Sequence, residues 1–255
     1  MKMSALFHAA IVGFAVLFGA KAMADDKPVL ATPGKLLFED DFSHNDLKTK
    51  WKVGKGFFAV EDGVVRVTEN PEDHHGAYFK ANFPYKDMVA EFSFKLDGSK
   101  SFNFTMDDNK YKGSHAGHIC RAMISANQVQ LGDSKFGVMR NDVHEKMTDP
   151  KTTPEEKKKV QASIKDKAAT FKVHLDAGKW HQGRVEVVGD EMLVSIDGKP
   201  VGYLKSEGVD HPTKNLLGFT VSGKSTLLDN VKVWEAKASP DWQSQKSEVL
   251  ASLGK

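Results

Sequence analysis

The chain has 255 residues, with 36 Lys and Arg against 34 Asp and Glu and a formal charge of +2. That near balance gives no ground for a nucleic-acid or anionic-membrane partner. The single cysteine, Cys120, excludes an internal disulfide framework.

Residues 1–24 read MKMSALFHAAIVGFAVLFGAKAMA: a lysine, an apolar run, then the small-x-small Ala22-Met23-Ala24. That order predicts a signal peptide cleaved near Ala24. The run from Ala9 to Ala20 is shorter than the about 20 residues a membrane span needs. No second apolar run follows, and no cysteine stands directly after the cut. The expected product is secreted or periplasmic, with no membrane span in the mature chain. Residues 25–35 read as a linker, and 36–236 as one all-β domain with enough length for a full core.

From Leu36 onward the dominant signal is the two-residue period of half-buried strands. DMVAEFSFKLDG places Ala90, Phe92, Phe94 and Leu96 on one face and Glu91, Ser93 and Lys95 on the other. SFNFTMDD places Phe102, Phe104 and Met106 inward and Asn103, Thr105 and Asp107 outward. HICRAMIS alternates too, with His118, Cys120, Ala122 and Ile124 on one face and Ile119, Arg121 and Met123 on the other. Residues 141–169 break the period. There Thr153, Pro154, Glu155 and Glu156 supply a cap, a first-turn proline and acidic first-turn residues, predicting an exposed helical or mobile insertion with a solvated face. GRVEVVGDEMLVSIDGKPVGYL then reads strand, turn, strand, turn, strand, with Asp197-Gly198 a strong hairpin signal. LLGFTVSG and LLDNVKVWEA add strands. The tail, 237–255, repeats the cap pattern at Ser239 and Pro240, predicting a short helix docked by Trp242, Val249 and Leu250. Turn signals every 8–12 residues or so predict a two-sheet antiparallel sandwich.

SHAGHIC, Ser114 to Cys120, gathers two histidines and the cysteine. A zinc site needs three or four convergent ligands, and Cys120 sits between core positions. The stretch reads as a loop entering a strand, and no metal site is assigned. His74-His75 form a second pair, and the sequence does not decide whether the pairs converge. DDNK, Asp107 to Lys110, is an oxygen-rich turn that leaves calcium open as a cofactor, without the spaced acidic loop of a dedicated site.

A sandwich keeps one face of each sheet for the core, so ligand chemistry falls to an outer face. The candidates are Glu91, Asp107, Arg121 and His118 for catalysis, and Ser93, Lys95, Asn103, Thr105, His75 and Tyr78 for ligand contact. Such hydrogen-bonding side chains at period-two spacing suit hydroxyl-rich ligands, and the plain alternative is a solvated sheet face. Arg121 stands between apolar neighbours and is expected to pair with Glu91 or Asp107. Glu91 and Asp107 could also face each other across neighbouring strands, as the two carboxylates of a glycosidase do. Tyr78, Trp180 and Tyr203 are candidate stacking rings. No nucleophile-elbow, zinc-helix, P-loop or dinucleotide motif is present.

LLFEDDFSHNDLKTKWKV, GKWHQGRVEVVGDEMLVSIDGKPVGY and LLDNVKVWEA together resemble concanavalin A-like, laminin G-like jelly-roll domains. More narrowly they resemble the secreted 3-keto-disaccharide hydrolase domain family, over roughly Leu36 to Glu235. The resemblance implies a two-sheet jelly roll and a role on carbohydrate or a modified glycoside. No catalytic motif carries over residue by residue. The E-x-D-x-x-E strand motif of laminarinase-type enzymes is absent, since EFSFKLD has the wrong spacing. Three readings stay open. One is an enzyme that cleaves 3-keto-glycosides with Glu91, Asp107 or a histidine as base and Arg121 or Lys95 steadying the enolate. The second is a non-catalytic carbohydrate-binding module. The third is a cell-envelope interaction domain using 141–169.

Overall fold

The computed structural model describes residues 29–44 and 46–254. The predicted signal segment 1–24 lies outside the described residues. Those residues form strands β1 (Ala31–Asp40), β2 (Lys52–Val53), β3 (Phe57–Glu61), β4 (Val64–Thr68), β5 (Ala77–Tyr85), β6 (Met88–Asp107), β7 (His118–Ile124) and β8 (Gln128–Asp133). There follow helices α1 (Asn141–Thr148) and α2 (Pro154–Ser163), then β9 (Ala168–Lys172), β10 (Trp180–Val188), β11 (Glu191–Ile196), β12 (Lys199–Lys205), β13 (Lys214–Ala238) and α3 (Trp242–Ser252).

Two long strands make the frame. β6 and β13 pair antiparallel from Met88↔Glu235 to Asp107↔Leu216. The first half of β6 also pairs β10, and its second half pairs β7. One sheet therefore runs β12-β11-β10-β6-β13, with β1 and β4-β3 on the far side of β13. The other runs β2-β5-β13-β6-β7-β8-β9. Both frame strands bend where register shifts fall between Ser222 and Thr226, with Gly98 (φ 83°) and Gly223 (φ 90°) in conformations a side chain disfavours.

The bend brings the halves of β6 face to face across the core. Phe92 stacks on Phe104 with ring centres 5.4 Å apart, and Phe94 meets Phe102 at 5.1 Å. Every inward position read from the alternation, Ala90 through Leu96 and Phe102 through Met106, is buried. The outer faces of the two sheets consequently point away from each other. This is a jelly roll, and its β11–β12 hairpin turns at Asp197-Gly198, whose two residues take φ 50° and 76°.

The 141–169 stretch holds two helices. Thr153 caps α2 with a reciprocal box: its hydroxyl accepts the Glu156 N–H, and the Glu156 carboxylate accepts the Thr153 N–H at 2.9 Å. α2 is solvent-exposed, but α1 buries Val143 and places His144 against the sandwich. At the tail Asp241, not Ser239, holds the N-cap position, and the Ser239 carbonyl accepts the Trp242 N–H. α3 lays Trp242 and Val249 on Leu30, Leu193 and Tyr203, covering part of the outer face of the first sheet.

Candidate active site

The outer face of the second sheet carries a pocket of about 290 Å³. β5 contributes Tyr78 and Lys80, β6 Asn103 and Thr105, β13 Thr220, and β7 His118 and Arg121. His75, His115 and Met139 come from the adjoining loops. The strand residues share one face because they lie in register across the sheet: Tyr78↔Thr220↔Asn103 and Lys80↔Gly218↔Thr105↔Arg121.

His118 is on this face because of a bulge. Alternation alone puts it inward with Cys120. In the structure Cys120 pairs with Met106 and His118 pairs with Asp107, leaving Ile119 as an extra residue. Ile119 and Cys120 both enter the core, and the Ile119 carbonyl accepts the N–H groups of Ser134 and Lys135, each at 2.9 Å. His115 follows through a left-handed turn at Ala116 (φ 52°) and Gly117 (φ 73°). A side chain at Gly117 would run into the Asp108 carbonyl, so glycine is required where the loop turns back. The two histidine rings then lie 6.4 Å apart.

Asp107 lies under the pocket, its side chain fully buried. Oδ1 accepts the Nδ1–H of His118 at 2.7 Å, and Oδ2 accepts from Lys80 Nζ at 2.6 Å. A carboxylate that accepts from Nδ1 leaves Nε2 of His118 as the basic nitrogen. Arg121 donates to the Asn103 side-chain oxygen at 2.6 Å and to that of Gln130 at 3.0 Å. Both partners are neutral amides, and its buried Nε has no partner among the described residues. Burial pulls the guanidinium below its ordinary pKa. The expected carboxylate partner of Arg121 is therefore absent, because Asp107 is engaged by Lys80 and His118 and Glu91 is on the other sheet.

Two histidines complete the rim. His115 stacks on His144 of α1 with ring centres 4.0 Å apart and planes 10° from parallel. Burial, then the neighbouring His144, His118 and His75, push the His115 pKa down. His75 binds the Gly76 carbonyl through Nδ1 and meets Tyr78 edge-on at 5.6 Å. His74 is not among the lining residues.

Of the ten predicted site residues the pocket gathers Arg121, His118, Asn103, Thr105, His75 and Tyr78, with Asp107 beneath. Glu91, Ser93 and Lys95 lie on the opposite outer face, since the bend of β6 separates its two halves. There Glu91 pairs with Arg184, which also binds Glu186 at 3.0 Å. Ser93 bonds Gln182, and Lys95 sits 5.5 Å over the Trp180 ring. The pairing of Glu91 with Asp107 as two flanking carboxylates is thus ruled out by geometry. Trp180 shares that far face, and Tyr203 is buried against Trp242. In the Asp107–Lys110 turn, Asp108 accepts from the Lys110 N–H, His211 and Thr213, so the oxygens offered to calcium are held by protein donors. Among the described residues no group of three or more His, Cys, Asp or Glu side chains is arranged to hold a metal ion.

The sequence model of the 3-keto-alpha-glucoside-1,2-lyase-like domain matches residues 35–233. The chain belongs to that family. No curated protein matches it. Solved structures share the fold. A carbohydrate-binding module from Bacillus subtilis superposes with a TM-score of 0.50 at 13% identity, over 73% of this chain and 96% of that one. A laminarinase from Flavobacterium sp. UMI-01 gives 0.52 at 13%, over 79% and 100%. A porphyranase from Zobellia galactanivorans gives 0.52 at 14%, over 79% and 92%. At such identities the likeness is one of fold, and activity must be argued from the site.

Sequence reading missed Lys80, Thr220 and Met139 among the lining residues, and His144, which stacks on His115. The first two carried a signal. AYFKANF alternates with Ala77, Phe79 and Ala81 inward, which sends Tyr78 and Lys80 outward, and GFTVSG sends Thr220 outward in the same way. Met139, just ahead of α1, and His144 within it reach the site through tertiary packing and leave no periodic trace.

Proposed function

We propose that the pocket binds a glycoside oxidised at carbon three and cleaves it by general-base elimination. The observation that carries the reading is the Asp107–His118 pair beside Arg121. It offers a basic Nε2 next to a cation that has no carboxylate partner among the described residues.

A carbonyl at carbon three acidifies the hydrogen on carbon two. His118 Nε2 takes that proton, and the electron pair moves into the carbon two–carbon three bond as the carbonyl oxygen becomes an enolate. Arg121 is placed to receive the negative charge in a partly buried setting, where a fixed cation acts more strongly than in water. The enolate then expels the aglycone from carbon one, and the departing oxygen takes up a proton. The products are an unsaturated keto sugar and the free aglycone. The absence of any carboxylate among the lining residues supports this course over double-carboxylate hydrolysis. Asn103, Thr105, His75 and Tyr78 supply hydrogen bonds and an aromatic edge for the sugar. Residues 1–24 direct export in this reading, and the sandwich works outside the cytoplasm. Among the described residues no helix is long and apolar enough to cross a membrane.

The test is to incubate the mature protein with 3-keto-glucosides and their parent glucosides, with and without EDTA, and follow aglycone release. Release from the keto substrates alone is the expected result. Intact keto substrates together with a thermal shift from a glycan would make the protein a binding module instead.

A further inference from the structure

We propose that Lys80 is a positioning residue that holds His118 as a neutral imidazole with its proton on Nδ1. Only the kinetic consequence rests on the elimination reading; the protonation state itself does not.

Lys80 reaches Asp107 from a strand that is not paired with β6. β13 lies between them, and Gly218 of β13 is in register with Lys80 on one side and Thr105 on the other. A Cβ at Gly218 would sit 2.7 Å from Lys80 Cγ, so the missing side chain opens the path across the strand. The lysine lies along that path and places Nζ on Asp107 Oδ2, with only 15% of its side chain exposed.

Asp107 is fully buried and needs one compensating positive charge. Lys80 and His118 are its two partners. With Lys80 in place the carboxylate is already neutralised, and from His118 it requires no more than an N–H hydrogen bond. Nε2 is then free of a proton and able to act as a base. With Lys80 removed, the only remaining partner among the described residues that can bring charge to Asp107 is the imidazole. It would take a proton on Nε2 and cease to be a base at neutral pH. The other groups around His118 oppose its protonation: Arg121 on β7, His115 in the preceding turn and His75 ahead of β5 are all cationic when charged. Asp108, the next carboxylate along, is taken by His211 and Thr213.

The measurement is the nitrogen-15 spectrum of the His118 ring in the full mature chain at pH 7, for wild type, Lys80→Met and Lys80→Arg. The wild type is expected to show one protonated nitrogen, Nδ1, and one unprotonated, Nε2. Lys80→Met is expected to show both protonated, and Lys80→Arg to restore the wild-type pattern. On a 3-keto-glucoside, Lys80→Met should lower kcat about tenfold at pH 7, or about 1.4 kcal/mol, with KM little changed, and Lys80→Arg should restore it. An unprotonated Nε2 persisting in Lys80→Met, or a wild-type ring already doubly protonated at pH 7, overturns the proposal. If the wild type releases no aglycone from any keto substrate, the elimination reading falls, while the spectrum still decides the role of Lys80.

Discussion

The two outer faces of the sandwich are built from the same strand and have opposite fates. Along β6, Glu91, Ser93 and Lys95 face out from the first sheet, and Asn103, Thr105 and Asp107 face out from the second. Both sets alternate with phenylalanines and both are hydrogen-bonding. On the first sheet each polar group finds a partner on the neighbouring strand: Glu91 with Arg184, Ser93 with Gln182, Lys95 with Trp180. Arg184 is in turn shared with Glu186, which also accepts the N–H groups of Leu30 and Ala31 where the chain enters. α3 covers the same sheet further out, and Glu191 binds Trp242 and Lys246. On the second sheet, among the described residues, no helix covers the centre, Arg121 lacks a counter-charge and His118 Nε2 has no protein partner. Polar alternation marks an outer face; uncompensated chemistry on an uncovered face marks a candidate site.

The sharpest way to break this contrast is to exchange the effects of one residue from each face. His118→Ala should lower aglycone release by about 10³-fold, within the usual range for losing a general base, with the thermal midpoint little changed. Glu91→Gln should leave release within about twofold. Comparable losses in both would erase the distinction between the faces.

Next in size is the covered face. Trp242→Ala removes a large side chain that is 2% exposed and should cost about 3 kcal/mol in urea unfolding. The remaining folded protein should cleave as before. A loss of turnover without a loss of stability would mean that α3 serves the site.

Arg121→Lys keeps the charge but cannot hold both Asn103 and Gln130 with one planar fork. Release should fall about 30-fold, or about 2 kcal/mol, as a drop in kcat more than a rise in KM. Unchanged kcat would remove the guanidinium from the enolate's surroundings.

The smallest effect is on stability against pH. His115 has a lowered pKa in the fold, so the unfolded chain takes up that proton first as pH falls. Its contribution is present above about 6.5 and is lost as pH drops through the folded value. His211, lowered chiefly by burial, acts in the same sense. Glu186, raised by burial, acts in the opposite one. The measure is therefore the difference between wild type and His115→Gln: the variant should lose less of its urea midpoint between pH 7.5 and pH 5. Equal losses would place the acid sensitivity elsewhere.

The strands were legible because alternation is local. Phe92, Phe94, Phe102 and Phe104 announce their inward face, Asp197-Gly198 its turn, and Thr153 its cap. What alternation does not carry is where a strand changes sheets. The odd-numbered positions remain outward on both sides of the Asp97–Lys100 bend, so Glu91 and Asp107 read as one surface although the core lies between them. His118 was misplaced for a related reason: one extra residue at Ile119 reverses the parity, and no residue type in HIC signals it. Lys80 was written in the pattern, but its purpose depends on Gly218, more than a hundred positions away.

The pairing of β6 with β13 has a consequence for how the molecule comes into being. Both sheets take a central strand from β13, whose partner ended more than a hundred residues earlier. Neither sheet can close on a chain that stops before Lys214, and contacts of such separation are formed slowly. A growing polypeptide thus stays without its pocket until almost all of it has been synthesised.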